Sequence, residues 1–222
     1  MDYELNTSMF YQTKVPFSCS QCDRPLQFKS EFSVGLICPE CQTVSRRVQL
    51  ESNTLDKMEA VREDMSVIRL GTTGSFEETS FEVIGRIQYF FQETYRNHWF
   101  LHFNNGTSGW LGDWAGNYSI FKIVKETRQT FENPVITKKI QINNSDYFLE
   151  KIDVSFKVMA EGELPGFYLN NEKFIRLEFN NLNGGLALAH VFTKNQLEAF
   201  TGQYVEVGDL QFQNFRQHHD WA

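Results

Sequence analysis

The sequence predicts a mainly β fold with one or two short helices, on two observations. Thirty-three of the 222 residues are aromatic (21 Phe, 8 Tyr, 4 Trp) while only seven are Ala, the reverse of the usage in a helix-rich protein. Short runs of β-branched and aromatic residues also recur along the chain, separated by reversals that carry Asn and Gly. With 41% hydrophobic and 22% charged residues, the composition is that of a folded chain, neither disordered nor collagenous. No stretch approaches the roughly 18 apolar residues of a membrane-spanning helix. The opening MDYELNTSMF has acidic residues where a secretory signal carries positive charge, so a cytoplasmic protein without a transmembrane segment is expected.

Three regions follow. Residues 1–50 read as a small unit, with an opening strand near 14–18, two cysteine pairs and a closing strand over 44–50. Residues 51–64 are polar and charged, and Asn53 or Thr54 can cap a short linking helix whose stripe is Leu55, Met58 and Val61. Residues 65–222 form the β-rich part, predicted as an antiparallel β-meander or small barrel. Strands are expected at 81–91 and 99–103. The reversals Asn104-Asn-Gly106 and Ala115-Gly-Asn117 then bracket a strand at Trp110-Leu111 and lead into 118–124, because Asn and Gly accept positive φ. After Asn133-Pro134, strands recur at 135–142, 147–151, 154–159, 174–179 and 186–192, followed by a helix over 194–200 and one or two strands over 203–215.

All four cysteines fall in the first region, as Cys19-Ser-Gln-Cys22 and Cys38-Pro-Glu-Cys41 with fifteen residues between the pairs. Each CxxC turn aims two sulfurs at one point and leaves backbone amides to support the thiolates, so two such turns make a tetrahedral four-cysteine site, a zinc ribbon. Zn2+, one per chain, suits four soft thiolates; with every position taken by sulfur the site is structural. Iron of the rubredoxin type uses similar knuckles, and two disulfides would need an oxidising compartment. A thioredoxin-like pair is disfavoured, since neither CxxC opens a helix in a βαβ unit.

The net charge of −7 is spread evenly, −3 in residues 1–66 and −4 in the remainder, so no basic half exists to track a phosphate backbone. A local nucleic-acid contact is the minority reading, through Arg24, Lys29, Arg46 and Arg47 interleaved with Phe17, Phe28 and Phe32. Trp99, Trp110 and Trp114 are core residues or a ligand or partner surface. Glu161 and Glu163 flank Gly162, either as a strand end entering a turn or as a carboxylate pair of a small-molecule or catalytic site. His98 and His102, four apart in a strand, stand about 13 Å from one another and read as ordinary strand residues. His218 and His219 lie near the chain end. No GxSxG, HExxH, phosphate loop or dinucleotide fingerprint occurs, and a non-enzymatic protein is expected.

The order of words, a CxxC…CxxC ribbon, Gly71-Thr-Thr-Gly74, Phe81-Glu-Val-Ile-Gly-Arg-Ile87, Trp99, Trp110-Leu111 and Glu161-Gly-Glu-Leu-Pro165, resembles bacterial proteins of the domain-of-unknown-function family 4178. The resemblance spans 66–215 for the domain and 15–45 for the ribbon. It implies an accessory component of bacterial membrane-stress or conflict gene clusters, with a protein partner at or near the inner membrane. It implies no catalytic residues, and it carries over Cys19, Cys22, Cys38 and Cys41 as metal ligands.

Overall fold

The computed structural model describes residues 12–47, 57–91, 94–165, 167–170, 173–192 and 196–217. Fifteen strands are found among them. In the first region lie β1 (Phe17–Ser18), β2 (Pro25–Leu26), β3 (Gly35–Ile37) and β4 (Val44–Arg46). A meander follows, built from β5 (Thr73–Phe76), β6 (Thr79–Phe91), β7 (Thr94–Phe103), β8 (Ser108–Trp114) and β9 (Asn117–Val124). The chain continues through β10 (Lys139–Ile142), β11 (Ser145–Ser155), β12 (Lys157–Leu164), β13 (Phe174–Asn180), β14 (Gly185–Phe192) and β15 (Leu197–Val205). Only 3-10 turns, at Arg128–Phe131, Phe167–Asn170 and Val207–Leu210, interrupt the strands among the described residues.

Apart from the small β1–β2 pair, the strands form one antiparallel sheet in the order β10-β11-β13-β14-β15-β9-β8-β7-β6-β12-β3-β4, with β5 also paired to β6. Tight reversals set its register, a predicted one among them. Ala115 and Gly116 both take positive φ, which lets β8 return as β9 in two residues, and Asn143-Asn144 does the same between β10 and β11. The sheet curls until Phe156, between β11 and β12, donates its N–H to Phe90 of β6 at 2.9 Å. No ladder joins β11 to β6 among the described residues, so the sheet is an open, curled one and the barrel alternative is not formed.

The concave face holds the main core, where side chains of distant strands meet: Tyr89 of β6 lies 5.5 Å from Phe174 of β13, ring centre to ring centre. On the opposite face of β6–β9, Phe81, Val83, Trp99 and Leu111 are covered by Ile68 and Leu210. A third cluster packs Phe131 with Ile140, Tyr147, Leu177 and Ala189.

Two predicted helices are corrected. Residues 57–64 are extended: Lys57 bridges to Thr43 and the Met58 N–H reaches Gln42 O at 2.9 Å, so pairing with the ribbon overrides the helical stripe. Asn53, Thr54 and Leu55 lie outside the described residues. Leu197–Phe200 belongs to β15, held between β14 and β9, where Ala199 and Phe200 bury opposite faces as a central strand requires. Lys194, His218 and His219 fall outside the described residues.

Candidate metal centre

The two cysteine pairs form matching knuckles. In the first, Cys19 N–H bonds Arg24 O at 2.9 Å and Asp23 N–H bonds Cys19 O at 3.0 Å; in the second, Cys38 N–H bonds Thr43 O at 2.9 Å and Gln42 N–H bonds Cys38 O at 3.0 Å. Asp23 and Gln42, each four residues after the first cysteine of its pair, both take the left-handed conformation (φ 58° and 63°), which closes each turn. The four sulfurs then lie within 4.8 Å of one another, with Cys19–Cys41 and Cys22–Cys38 both at 3.6 Å. A tetrahedron with metal–sulfur bonds of about 2.3 Å has edges of roughly 3.8 Å, so the arrangement fits one ion bound by four sulfurs.

The thiols are unequal. Hydrogen bonding by the Thr43 hydroxyl, and then by its backbone, holds Cys41 down at about 6. Cys22, despite a backbone contact from Arg24, is pushed up to about 12 by desolvation and by its three sulfur neighbours. Four thiolates this close repel one another, and a bound cation removes that cost.

The centre is built into the large sheet. Its second hairpin, β3–β4, extends that sheet by pairing Ile37 with Gly162, Leu36 with Glu163 and Gly35 with Leu164 of β12. Gly162 has φ +74°, and a Cβ there would stand 2.3 Å from Ile84 O; glycine alone lets β12 kink between β6 and β3. Beyond the kink, the buried Glu163 carboxylate accepts hydrogen bonds from the Lys29 N–H (2.7 Å), the Ser30 N–H (3.2 Å) and the Ser33 hydroxyl (2.7 Å). Burial pushes its pKa up, opposed by those three donors. Glu161 turns instead toward Arg86, 3.5 Å away. The two carboxylates flank a cavity of ≈ 570 Å3 between ribbon and sheet, but each is engaged by a separate structural partner.

The tryptophans part company as well. Trp99 and Trp110 are buried, the first under the Arg86 guanidinium at 4.5 Å and the second against Phe100, because alternate positions of β7 and β8 both face core. That removes them from any surface. Of the three, Trp114 alone is exposed, stacked on Arg96 at 4.3 Å.

The four basic residues near the ribbon are all engaged. Arg24 pairs with Glu40 and Lys29 with Glu82; Arg46 donates to Leu169 O at 3.0 Å, and the buried Arg47 donates to Ser30 O at 3.0 Å. His98 and His102 are indeed separate strand residues; His98 is buried and bonded to the Tyr89 hydroxyl at 2.7 Å. Among the described residues, no helix is long and apolar enough to cross a membrane.

Sequence reasoning missed the buried ionic group behind Glu161. Arg86 is paired with Asp64 and accepted by Asn97 Oδ1 at 2.8 Å, while Gln88 and Asn97 donate to Asp64 Oδ2 at 3.1 and 2.8 Å. The available signal was Arg86 and Gln88 standing two apart in an otherwise apolar run; a bulge between Val83 and Gly85 sets both on the face that carries Val83 and Trp99, opposite Ile84.

A family model described as Domain of unknown function (DUF4178) matches residues 69–207, more than half of the chain. No curated protein and no solved structure matches it.

Proposed function

The chain belongs to the family described as Domain of unknown function (DUF4178), and from that premise we propose that it is a non-enzymatic adaptor, a zinc ribbon joined to a β domain that binds another protein. The observation that carries this reading is the closed four-sulfur centre, braced by β12 and Glu163 as part of the sheet. Four soft thiolates suit Zn2+, one per chain, and leave no open position for a substrate. Glu161 and Glu163, the best carboxylate pair in the sequence, are committed to Arg86 and to the ribbon.

A partner surface is available on β11 and β13. Val154 stands opposite Ile175, with Ile152 and Phe156 beside them, and all four are exposed, forming an apolar strip of the kind protein partners cover. The partner is a protein, at or near the inner membrane, of the membrane-stress or conflict systems in which the family's genes are expected.

Affinity purification of the tagged full chain from its native cell tests the reading. One reproducible protein partner should co-purify with the wild type and be lost from Val154→Glu/Ile175→Glu while zinc content is unchanged. Recovery of a monomer alone, or a partner indifferent to both substitutions, contradicts it.

A further inference from the structure

At one end of the curled sheet, the concave face is hollow. A row of side chains runs across four strands in register: His98 on β7 opposite Gly112 on β8, Gly112 opposite Ser119 on β9, and Ser119 opposite Tyr204 on β15. The two small residues in the middle leave a cavity of ≈ 290 Å3, near the lower end of the range for small-ligand pockets. The hollow is closely fitted underneath. A Cβ on Gly112 would lie 2.5 Å from Ser119 Oγ and 2.9 Å from the Phe121 ring.

Two arginines and two carboxylates line the hollow, and of the carboxylates Glu178 is already taken by Arg176 and by the Tyr204 hydroxyl, which donates to it at 3.3 Å. Arg176, 3% exposed, pairs with Glu178 and stands 3.8 Å from Asp153, yet its Nε is buried without a hydrogen-bond partner. Arg96 stacks on Trp114 and no carboxylate lies within 4.0 Å of it among the described residues; its Nε is likewise buried and unpartnered. Asp113 also borders the cavity, but its carboxylate is bonded to Ser66. Both of these donors belong to side chains that line the one cavity, and each can give a charge-assisted hydrogen bond to an anion bound there. Trp114 and Tyr204, both about half exposed, supply aromatic surface at the rim.

We propose that this hollow is a binding site for a small organic anion, a carboxylate or phosphate monoester, whose charged end meets Arg96 and Arg176 and whose remainder lies against Trp114 and Tyr204. The site is distinct from the metal centre and from the β11–β13 strip.

Titration of the full zinc-loaded chain with benzoate, phenyl phosphate and benzyl alcohol tests this, followed by NMR at the Arg96 and Arg176 side-chain Nε–H signals. At least one anion should bind saturably below about 10 mM with shifts at both arginines, and the two anions separate carboxylate from phosphate preference. Arg96→Gln, at a half-buried position, should weaken binding about tenfold or more, and Gly112→Val should abolish it. Lys139→Gln, on the remote edge strand, should change nothing. The assignment is overturned if neither anion binds to folded protein, if binding survives Arg96→Gln undiminished, or if the uncharged alcohol binds as well as the anions.

Discussion

The hydroxyl of Ser33 donates to the carboxylate of Glu163 at 2.7 Å, both groups buried and 130 residues apart in sequence. This contact, with the Lys29 and Ser30 amides on the same carboxylate, ties the loop between the cysteine pairs to the central sheet. Glu163→Ala leaves three donors facing a void. It should cost about 2 to 3 kcal/mol in urea denaturation, and amides 29–33 should lose hydrogen-exchange protection before those of β6. Glu163→Gln, which keeps the shape and one acceptor, should cost less. Equal losses for the two variants would show that the carboxylate is not the tie.

The metal centre gives the next expectation. Metal analysis of the purified chain should find about one zinc, absent after Cys38→Ser/Cys41→Ser. Because β3 and β4 extend the sheet through β12, removing the ion should expose β3, β4 and residues 57–58 to exchange while β6–β9 remain protected. A chain that keeps full protection without metal would contradict a structural role for the ion.

What could be read in advance depended on how local the cause was. Cys19, Cys22, Cys38 and Cys41 carry their geometry in the CxxC turns themselves, and Ala115-Gly116 carries its reversal in two backbone conformations, so both were legible. Leu197–Phe200 was not: its helical reading fails because β14 and β9 supply hydrogen-bond partners on both sides, a fact of topology. Glu163 looked like half of a carboxylate pair because Gly162 sits between it and Glu161, and only the kink at Gly162 shows that the two go to different partners. The hollow beneath His98 was invisible for a related reason. It exists because Gly112 and Ser119 fall in one cross-strand row, a matter of register that spacing along the chain does not encode.

The buried Arg86–Asp64 pair should be unforgiving of single changes. Both side chains are 1% exposed, and Asp64 also receives hydrogen bonds from Gln88 and Asn97. Asp64→Ala leaves the Arg86 charge without its main counterion and should destabilise the protein by about 3 to 5 kcal/mol, since an unpaired buried charge costs far more than a pair contributes. Arg86→Met combined with Asp64→Leu should recover a large part of that loss. Denaturation of Arg86→Met, Asp64→Leu and the double variant measures the coupling; additive losses would mean the pair does not act as a unit.

Glu198 offers a pH test. It lies opposite His190 on the concave face, and burial pushes its carboxyl up to about 7 from 4.5, with a hydrogen bond from Tyr168 acting the other way. Between about pH 4.5 and 7 the folded chain therefore holds a proton that the unfolded chain has released. Ionising Glu198 thus works against the fold: its penalty is absent at pH 4, grows through that window and is complete above 7. Burial holds His98 and His190 well below the usual imidazole range, with neighbouring positive charge adding to it, and this has the opposite sign, with stability lost as pH falls below about 6.5. The wild-type profile mixes these slopes, whereas Glu198→Gln removes only the first. Its stability relative to wild type should rise by on the order of 3 kcal/mol between pH 4 and 8, read from urea denaturation at each pH. A difference that stays flat across that range would place the Glu198 titration elsewhere and leave the concave face indifferent to its charge.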